Sequence, residues 1–135
     1  DVMERISRKT QNAAKAVPAP FVRKAAKSTT LGLLTVGGCH GACMEALDLM
    51  EKDGVSLDYM RVRGFPFSDE VTKFLESHDT VFVVEQNRDA QLRSLLTLET
   101  GTSVDKLQSV RYWGGFPMSA HHVIEGIKAK IEVAA

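Results

Sequence analysis

The sequence predicts an α/β fold, a three-layer α/β/α sandwich around a mostly parallel sheet. Strand-like apolar runs begin near Leu31, Leu57, Val81 and Leu107, at spacings of 26, 24 and 26 residues. Each interval between these runs also holds one segment with the apolar period of a helix. Strand-helix units of this length repeat in parallel sheets with right-handed crossovers, and the helices then cover both faces.

The chain is predicted to begin with a basic lead-in helix and linker, residues 1–27, followed by the α/β domain, residues 28–135. The lead-in carries seven basic and two acidic side chains, although the whole chain has 17 of each and no net charge. Clustered Lys and Arg fit a nucleic-acid-binding arm. Because Phe21 is the one aromatic residue there for base stacking, a solvated helix that packs on a partner domain is favoured instead.

Within the lead-in, a helix is predicted from Asp1 to about Val17, since acidic residues occupy its first turn and Pro18 follows it. Ala19 to Lys24 is predicted as a short edge strand, where a proline is tolerated. Four later helices are predicted, each with one apolar face. The first carries Ala42, Ala46, Leu49 and Met50 and ends near Asp53-Gly54, and the second carries Val71, Phe74 and Leu75 and is capped by Ser68. The third carries Leu92, Leu95 and Leu96 and is capped by Asp89, and the fourth starts from Ser119 and carries Ala120, Val123, Ile124, Ile127 and Ile131.

An unusual turn follows each of the four main strands: GGCHG, RGFPF, EQNRD and WGGFP. In a parallel sheet these turns gather at one edge, where α/β proteins bind their ligands. We therefore expect binding or subunit-interface residues there, namely Gly38, His40, Arg63, Phe65, Glu85, Gln86, Asn87, Arg88, Gln91 and Gly115.

Several kinds of site fit this edge poorly. The GGCHG turn lacks the GK[ST] ending of a phosphate-binding P-loop, and tight-turn glycines explain it equally well. Cys39, His40 and Cys43 lack the second ligand pair of a structural zinc site, although His121 and His122 could supply one. No metal site is predicted, and the two cysteines are expected to be free and buried. A phosphorylation receiver module would need acidic residues after the first strand, where GGCHG has none.

The charged residues of the edge leave two alternatives open. Arg61, Arg63 and Arg88 could clamp an anion while Glu85 acts as an acid or base, or Glu85 and the arginines could pair with one another or with a partner chain. No nucleophile, base and orienting group stand together, so no catalytic residue is predicted. Free thiols and the absence of a signal peptide or long apolar span favour a cytoplasmic protein. The start at Asp1 suggests an excised piece of a longer polypeptide.

A resemblance to a known family covers about Asp1 to Ile127, which includes the lead-in. It rests on the four stretches GLLTVGGCHGACMEALDLM, RVRGFPFSDEVTKFLE, VFVVEQNRDAQLRSLL and SVRYWGGFPMSAHHVIEGI. The chain resembles the C-terminal part of the alpha subunit of 2-oxoglutarate (2-oxoacid):ferredoxin oxidoreductases. This resemblance implies the transketolase C-terminal-like fold, with one antiparallel and four parallel strands. Residues Glu85 to Arg88 and Gln91 match the family pattern, but no catalytic step attaches to them.

The resemblance also implies a whole enzyme that uses thiamine diphosphate with Mg²⁺ and iron–sulfur clusters. That enzyme would convert a 2-oxoacid to an acyl-coenzyme A and pass electrons to ferredoxin. The chain lacks a thiamine-diphosphate motif and cluster cysteines, so it is expected to bind none of these groups alone. It would then serve as scaffold and interface to a thiamine-binding beta subunit, without nucleic acid or membrane. The alternative is a free-standing doubly wound module for a small ligand or nucleotide.

Overall fold

The computed structural model describes residues 1–134, which form five helices and a five-stranded sheet. Within those residues no helix is long and apolar enough to cross a bilayer. In chain order the elements are α1 (Val2–Ala13), β1 (Phe21–Arg23), β2 (Leu31–Val36), α2 (His40–Lys52), β3 (Asp58–Val62), α3 (Asp69–Glu76), β4 (Thr80–Glu85), α4 (Gln91–Thr100), β5 (Leu107–Arg111) and α5 (Ala120–Ala134), with 3₁₀ turns at Gly37–Cys39 and Val104–Lys106.

The sheet has the strand order β1-β3-β2-β4-β5. Strand β1 runs antiparallel to β3, with Phe21 opposite Arg61, and the other neighbouring strands are parallel. The mostly parallel sheet and the four predicted strand starts are therefore confirmed. The edge strand predicted within Ala19 to Lys24 is also present, as β1.

Two apolar cores separate the three layers. Helices α2 and α5 cover one face of the sheet, where Leu33, Tyr59 and Phe82 are buried beneath them. Helices α3 and α4 cover the other face over Leu34 and Val83. Strand β4 is buried on both faces, as its run of β-branched and aromatic residues predicts. The predicted three-layer α/β/α sandwich is confirmed.

Helix α5 approaches the sheet closely at Gly126. A Cβ atom added to Gly126 would lie 2.6 Å from Cγ1 of Val110 on β5. Real Cβ atoms do not come so near, so this glycine allows the helix to lie directly on the edge of the sheet.

Three details of the helices differ from the prediction. Helix α1 ends at Ala13 instead of near Val17. The amides of Lys15, Ala16 and Val17 form backbone hydrogen bonds that make turns there, so the chain changes direction before Pro18. On α2, Leu49 is exposed, and Cys43 and Leu47 are buried in its place. At the start of α3, Ser68 occupies the predicted N-cap position, but its hydroxyl makes no capping hydrogen bond.

Helix α1 lies apart from both cores, and none of its side chains is buried. Its apolar residues Val2, Met3 and Ile6 are between 48% and 66% exposed. Strand β1 belongs to the same sheet as the later strands, although it lies within residues 1–27. The division of the chain at residue 27 stays a prediction.

A buried polar network lies at the end of the sheet where the parallel strands begin, next to the first residue of β3. The Asp58 carboxylate accepts hydrogen bonds from Lys24 Nζ at 2.7 Å and the Ala25 amide at 2.9 Å, and it lies 3.0 Å from His78 Nε2. Burial alone would raise the pKa of Asp58, but the bonds from Lys24, Ala25 and His78 together lower the pKa below its ordinary value. The network ties the linker after β1 to β3 and to the end of α3.

We predict that Asp58 stabilises the fold in a pH-dependent way. Because the pKa is lower in the folded state, this stabilisation is complete above the unfolded pKa of about 4 and is lost as the pH falls through the folded value. Asp58→Asn should lower the free energy of unfolding by about 2 kcal/mol at pH 7. Urea unfolding between pH 7 and pH 3 should show this deficit shrinking as acid is added.

Asp79→Asn is the matched control, because Asp79 is exposed and its side chain makes no hydrogen bond among the described residues. It should unfold like the wild type at every pH. A deficit in Asp58→Asn that stays constant down to pH 3 would show that the carboxylate charge contributes nothing.

Candidate functional site

A cavity of about 500 Å³ opens where strands β2, β3 and β4 end. We call this end of the sheet, with the loops that follow β2 to β5, the carboxyl edge. The loop after β2 leads to α2 on one face, whereas the loops after β3 and β4 lead to α3 and α4 on the other face. The cavity therefore lies at a topological switch point, which is the usual ligand position in open α/β sheets.

The cavity combines an apolar lining with a few polar groups. Its polar lining comes from Arg63, Glu85, Gln86, Asn87 and Gln91. The remaining lining residues are apolar or small, and they are Val36, Gly38, Cys39, Val62, Gly64, Phe65, Phe67, Leu92 and Leu95. Such a lining holds an apolar group and orients it with a few hydrogen bonds.

Glu85 ends β4 and is only 2% exposed. Its Oε1 accepts hydrogen bonds from the Leu92 amide and from Asn87 Nδ2, both at 2.7 Å, and its Oε2 accepts one from the Arg93 amide at 3.1 Å. The carboxylate thus satisfies two free amides in the first turn of α4 and places a negative charge at the positive end of that helix. Glu85 serves as the cap of α4, which answers the question of its role left open by the sequence.

The prediction that Asp89 caps α4 is wrong. Asp89 instead accepts a hydrogen bond from Arg88 Nε at 2.7 Å, and Ala90 occupies the N-cap position in a left-handed conformation with φ of 53°. Asp89 therefore does not accept from the first amides of α4, and the capping group is instead the Glu85 carboxylate at the end of β4. Of the alternatives left open by the sequence, pairing of Glu85 with an arginine guanidinium of this chain does not occur among the described residues, because its partners are amides.

Asn87 fixes the shape of the loop between β4 and α4. Its Oδ1 accepts hydrogen bonds from the Asp89 amide at 3.1 Å and from the Gln91 amide at 3.3 Å, while its Nδ2 donates to Glu85. Side-chain turns of this kind are typical of asparagine. The loop is therefore held by its own side chains and does not depend on a ligand.

The loop after β5 is linked to the cavity through Gln86. The Gln86 Nε2 donates to the Phe116 carbonyl at 2.6 Å. In the part of the chain that the structure describes, the Gln91 side chain makes no hydrogen bond, and Arg63 makes only a long one of 3.4 Å to the Ala19 carbonyl. Gln91 and Arg63 are therefore the polar side chains of the cavity that are available to a ligand or a partner.

Seven of the ten residues expected at this edge line the cavity, and His40, Arg88 and Gly115 do not. His40 packs on the α2 face of the sheet, where its Nδ1 lies 2.8 Å from the Tyr59 hydroxyl. Arg88 is exposed and pairs with Asp89, and Gly115 lies in the exposed loop after β5 with φ of 83°. The loops after the strands therefore meet at the carboxyl edge, but His40, Arg88 and Gly115 lie outside the cavity.

Sequence reasoning missed the apolar lining. Val62, Phe67, Leu92 and Leu95 carry no polar group, and in a sequence such residues are indistinguishable from core. The position of each just after a strand, or in the first turns of the following helix, was the available signal. A search for apolar residues at those positions would have found them.

Both cysteines are free and buried. Burial raises the pKa of Cys39, and burial raises the pKa of Cys43 to about 12, so both remain neutral thiols near pH 7. An iron–sulfur cluster takes four thiolates, and the chain has two cysteines. Among the described residues no three His, Cys, Asp or Glu side chains are grouped to hold a metal ion. The donors of this chain therefore do not fit a cluster or a metal ion.

Comparison with known proteins finds a relative among the 2-oxoacid:ferredoxin oxidoreductases. The chain is 30% identical over 104 residues to the alpha subunit of a 2-oxoacid:ferredoxin oxidoreductase from Saccharolobus solfataricus, which is 76% of this chain and 16% of that protein. No protein-family model matches the chain. The resemblance to these alpha subunits is confirmed, and the chain spans less than a fifth of this relative's length.

Solved structures share the fold. The 2-oxoglutarate:ferredoxin oxidoreductase from Magnetococcus marinus, solved with 2-oxoglutarate, coenzyme A and succinyl-CoA bound, matches 96% of this chain and 23% of its own chain, with a TM-score of 0.81 and 22% identity. A split-gene transketolase, in an inactive tetramer, matches 84% of this chain and 42% of its own, with a TM-score of 0.67 and 12% identity. The predicted transketolase C-terminal-like fold is confirmed.

We predict that Glu85→Gln destabilises the fold. An amide in place of the carboxylate removes the charge and turns an NH₂ group toward donors, so the cap loses at least one hydrogen bond at a buried position. The free energy of unfolding should fall by about 2–4 kcal/mol, as measured by urea unfolding at neutral pH. Glu99→Gln, an exposed change on the same helix, should have almost no effect. If the two variants unfold alike, Glu85 is not the cap that α4 depends on.

Proposed function

We propose that this chain is a domain of the alpha subunit of a thiamine-diphosphate-dependent 2-oxoacid:ferredoxin oxidoreductase. The observation that carries the proposal is the 30% identity over 104 residues to such an alpha subunit. We propose 2-oxoglutarate as the 2-oxoacid, since an enzyme structure with a TM-score of 0.81 to this chain was solved with that acid bound. The whole enzyme would convert its 2-oxoacid and coenzyme A to an acyl-coenzyme A and carbon dioxide, with electrons passing to ferredoxin.

The proposed part of this chain in the reaction is structural. Bound thiamine diphosphate would activate the 2-oxoacid for decarboxylation, and the iron–sulfur clusters would carry the electrons. Two cysteines are too few for a cluster, and the sequence lacks a thiamine-diphosphate motif, so we assign these groups to other parts of the enzyme. The buried acid of the carboxyl edge, Glu85, has both oxygens in hydrogen bonds. We infer that it holds the strand-end loops in place.

We further propose that the carboxyl edge meets the thiamine-binding beta subunit. The cavity presents Arg63, Gln86 and Gln91 beside an apolar lining, and Phe65 at its mouth is 49% exposed. Residues 1–27 would form the lead-in that contacts a neighbouring domain, and residues 28–135 the scaffold. This enzyme would act in the cytoplasm with ferredoxin and coenzyme A.

The alternative function is a free-standing module that binds a small ligand at the switch point. The cavity has a suitable position and size for that role. However, Val2, Met3, Trp113 and Phe116 are all more than half exposed, and a complete module is expected to cover its larger apolar patches. This exposure and the alpha-subunit relative both favour the domain of a larger enzyme.

We predict that activity requires the whole alpha subunit and its partner. The full-length parent, co-expressed with the neighbouring thiamine-binding subunit, should reduce ferredoxin or a viologen when both 2-oxoglutarate and coenzyme A are supplied. The isolated 135 residues should show no such activity, since they hold none of the cofactors. Other 2-oxoacids tested in parallel would identify the preferred substrate. Absence of activity with every 2-oxoacid, from a complex loaded with its cofactors, would contradict the proposed function.

A further inference from the structure

Three arginines at the carboxyl edge have no carboxylate partner. Arg61, Arg63 and Arg111 form no ion pair within residues 1–134, whereas Arg88 pairs with Asp89. Arg111 donates to the Arg88 carbonyl and stacks on Trp113, with its guanidinium carbon 5.5 Å from the ring centre. The Nε of Arg61 is buried and has no hydrogen-bond partner in this part of the chain. These three guanidinium groups are therefore without a paired carboxylate among the described residues.

Within residues 1–134 the carboxylates nearby form no ion pair with these three arginines. Glu85 is buried in its cap, and Asp89 is engaged by Arg88. Asp69 and Glu70 lie in the first turn of α3, where they offset the positive end of that helix.

Exposed apolar side chains lie beside Arg111 and next to the cavity. Trp113 is 57% exposed and Phe116 is 72% exposed, in the loop after β5. This loop is joined to the cavity by the bond from Gln86 to the Phe116 carbonyl, and Phe65 lines the cavity from the other side. An apolar centre with a charged rim, rich in Trp, Phe and Arg, is the usual composition of a protein interface.

The spread of the arginines argues for an extended occupant. Arg63 follows β3 and Arg111 ends β5, and these strands are separated by β2 and β4. Neighbouring strands lie nearly 5 Å apart, so the two backbone positions are about 14 Å apart. The Arg111 guanidinium is held on the β5 side by Trp113 and the Arg88 carbonyl, and Arg63 lies beyond two further strands. A protein segment with several acidic residues can place a separate carboxylate against each of the two arginines.

We propose that the carboxyl edge seats an acidic segment of the thiamine-binding subunit, which places an apolar side chain in the cavity and carboxylates against Arg63 and Arg111. This inference rests on the proposed function, and it adds the chemistry of the partner. Charged contacts at such a rim speed association and make affinity depend on salt. Trp113 and Phe116 supply the apolar contact at the centre.

The test uses the full-length parent and its thiamine-binding partner, with affinity measured at low and at physiological salt. Arg63→Glu and Arg111→Glu should each weaken the complex by about tenfold or more at low salt, and should reduce its dependence on salt. Trp113→Ala should weaken it by a similar factor that does not depend on salt. Lys52→Glu is the matched control, since this exposed residue ends α2, at the opposite end of the sheet, and should leave affinity unchanged. Circular dichroism verifies that each variant is folded.

The outcomes separate this inference from the proposed function. If the wild-type pair is active and the three edge variants bind the partner as tightly as the wild type, the acidic segment is wrong and the proposed function stands. If the complex stays intact while the KM for 2-oxoglutarate or coenzyme A rises, the edge binds a small anion, which also overturns the inference. If the wild-type pair forms no active complex with any 2-oxoacid, the proposed function itself is wrong.

Discussion

The hydrogen bonds of the Glu85 carboxylate are the interaction on which the carboxyl edge depends. They join the last residue of β4 to the amides of Leu92 and Arg93, which occupy the places that an N-cap side chain usually satisfies. Arg93 in turn donates from Nε to the Leu107 carbonyl and from its NH2 group to the Val104 carbonyl. One buried acid thus fixes the helix against β4, and the helix fixes the beginning of β5. This frame supports the wall of the cavity that β4 and α4 supply.

Much of the fold could be predicted because its local signals agree with its tertiary contacts. The run Val81 to Val84 is apolar throughout, and β4 is buried on both faces. Helix α2 was harder, because apolar residues occur on most of its sides and Cys43 is a weak signal beside Leu49. Only contact with α5 and the sheet decides that Cys43 and Leu47 face inward. The end of α1 could not be read from Pro18 alone, since proline marks where a helix cannot continue and the chain can turn earlier.

The position of the candidate site followed from topology, whereas its chemistry did not. Parallel strands bring their ends together whatever the loops contain, so residues as distant as Gly38 and Gln91 could be expected at one cavity. The cap of α4 was missed because sequence rules look for a capping residue beside the helix, and Glu85 lies six residues before it. His40 does not line the cavity for a related reason. A histidine after a strand can turn toward the edge or back over the sheet, and contact with Tyr59 decides between them.

The exposed indole at the carboxyl edge also has an optical consequence. Trp113 is the single tryptophan of the chain, and the aromatic residues of the cores are Tyr59, Phe74 and Phe82. Tryptophan emission therefore depends on the solvent exposure of one surface loop, and it responds little to the packing of either core. We expect spectra of the free chain to resemble those of a partly unfolded protein even when the sheet is intact, so a shift to shorter wavelength would indicate contact at this loop alone.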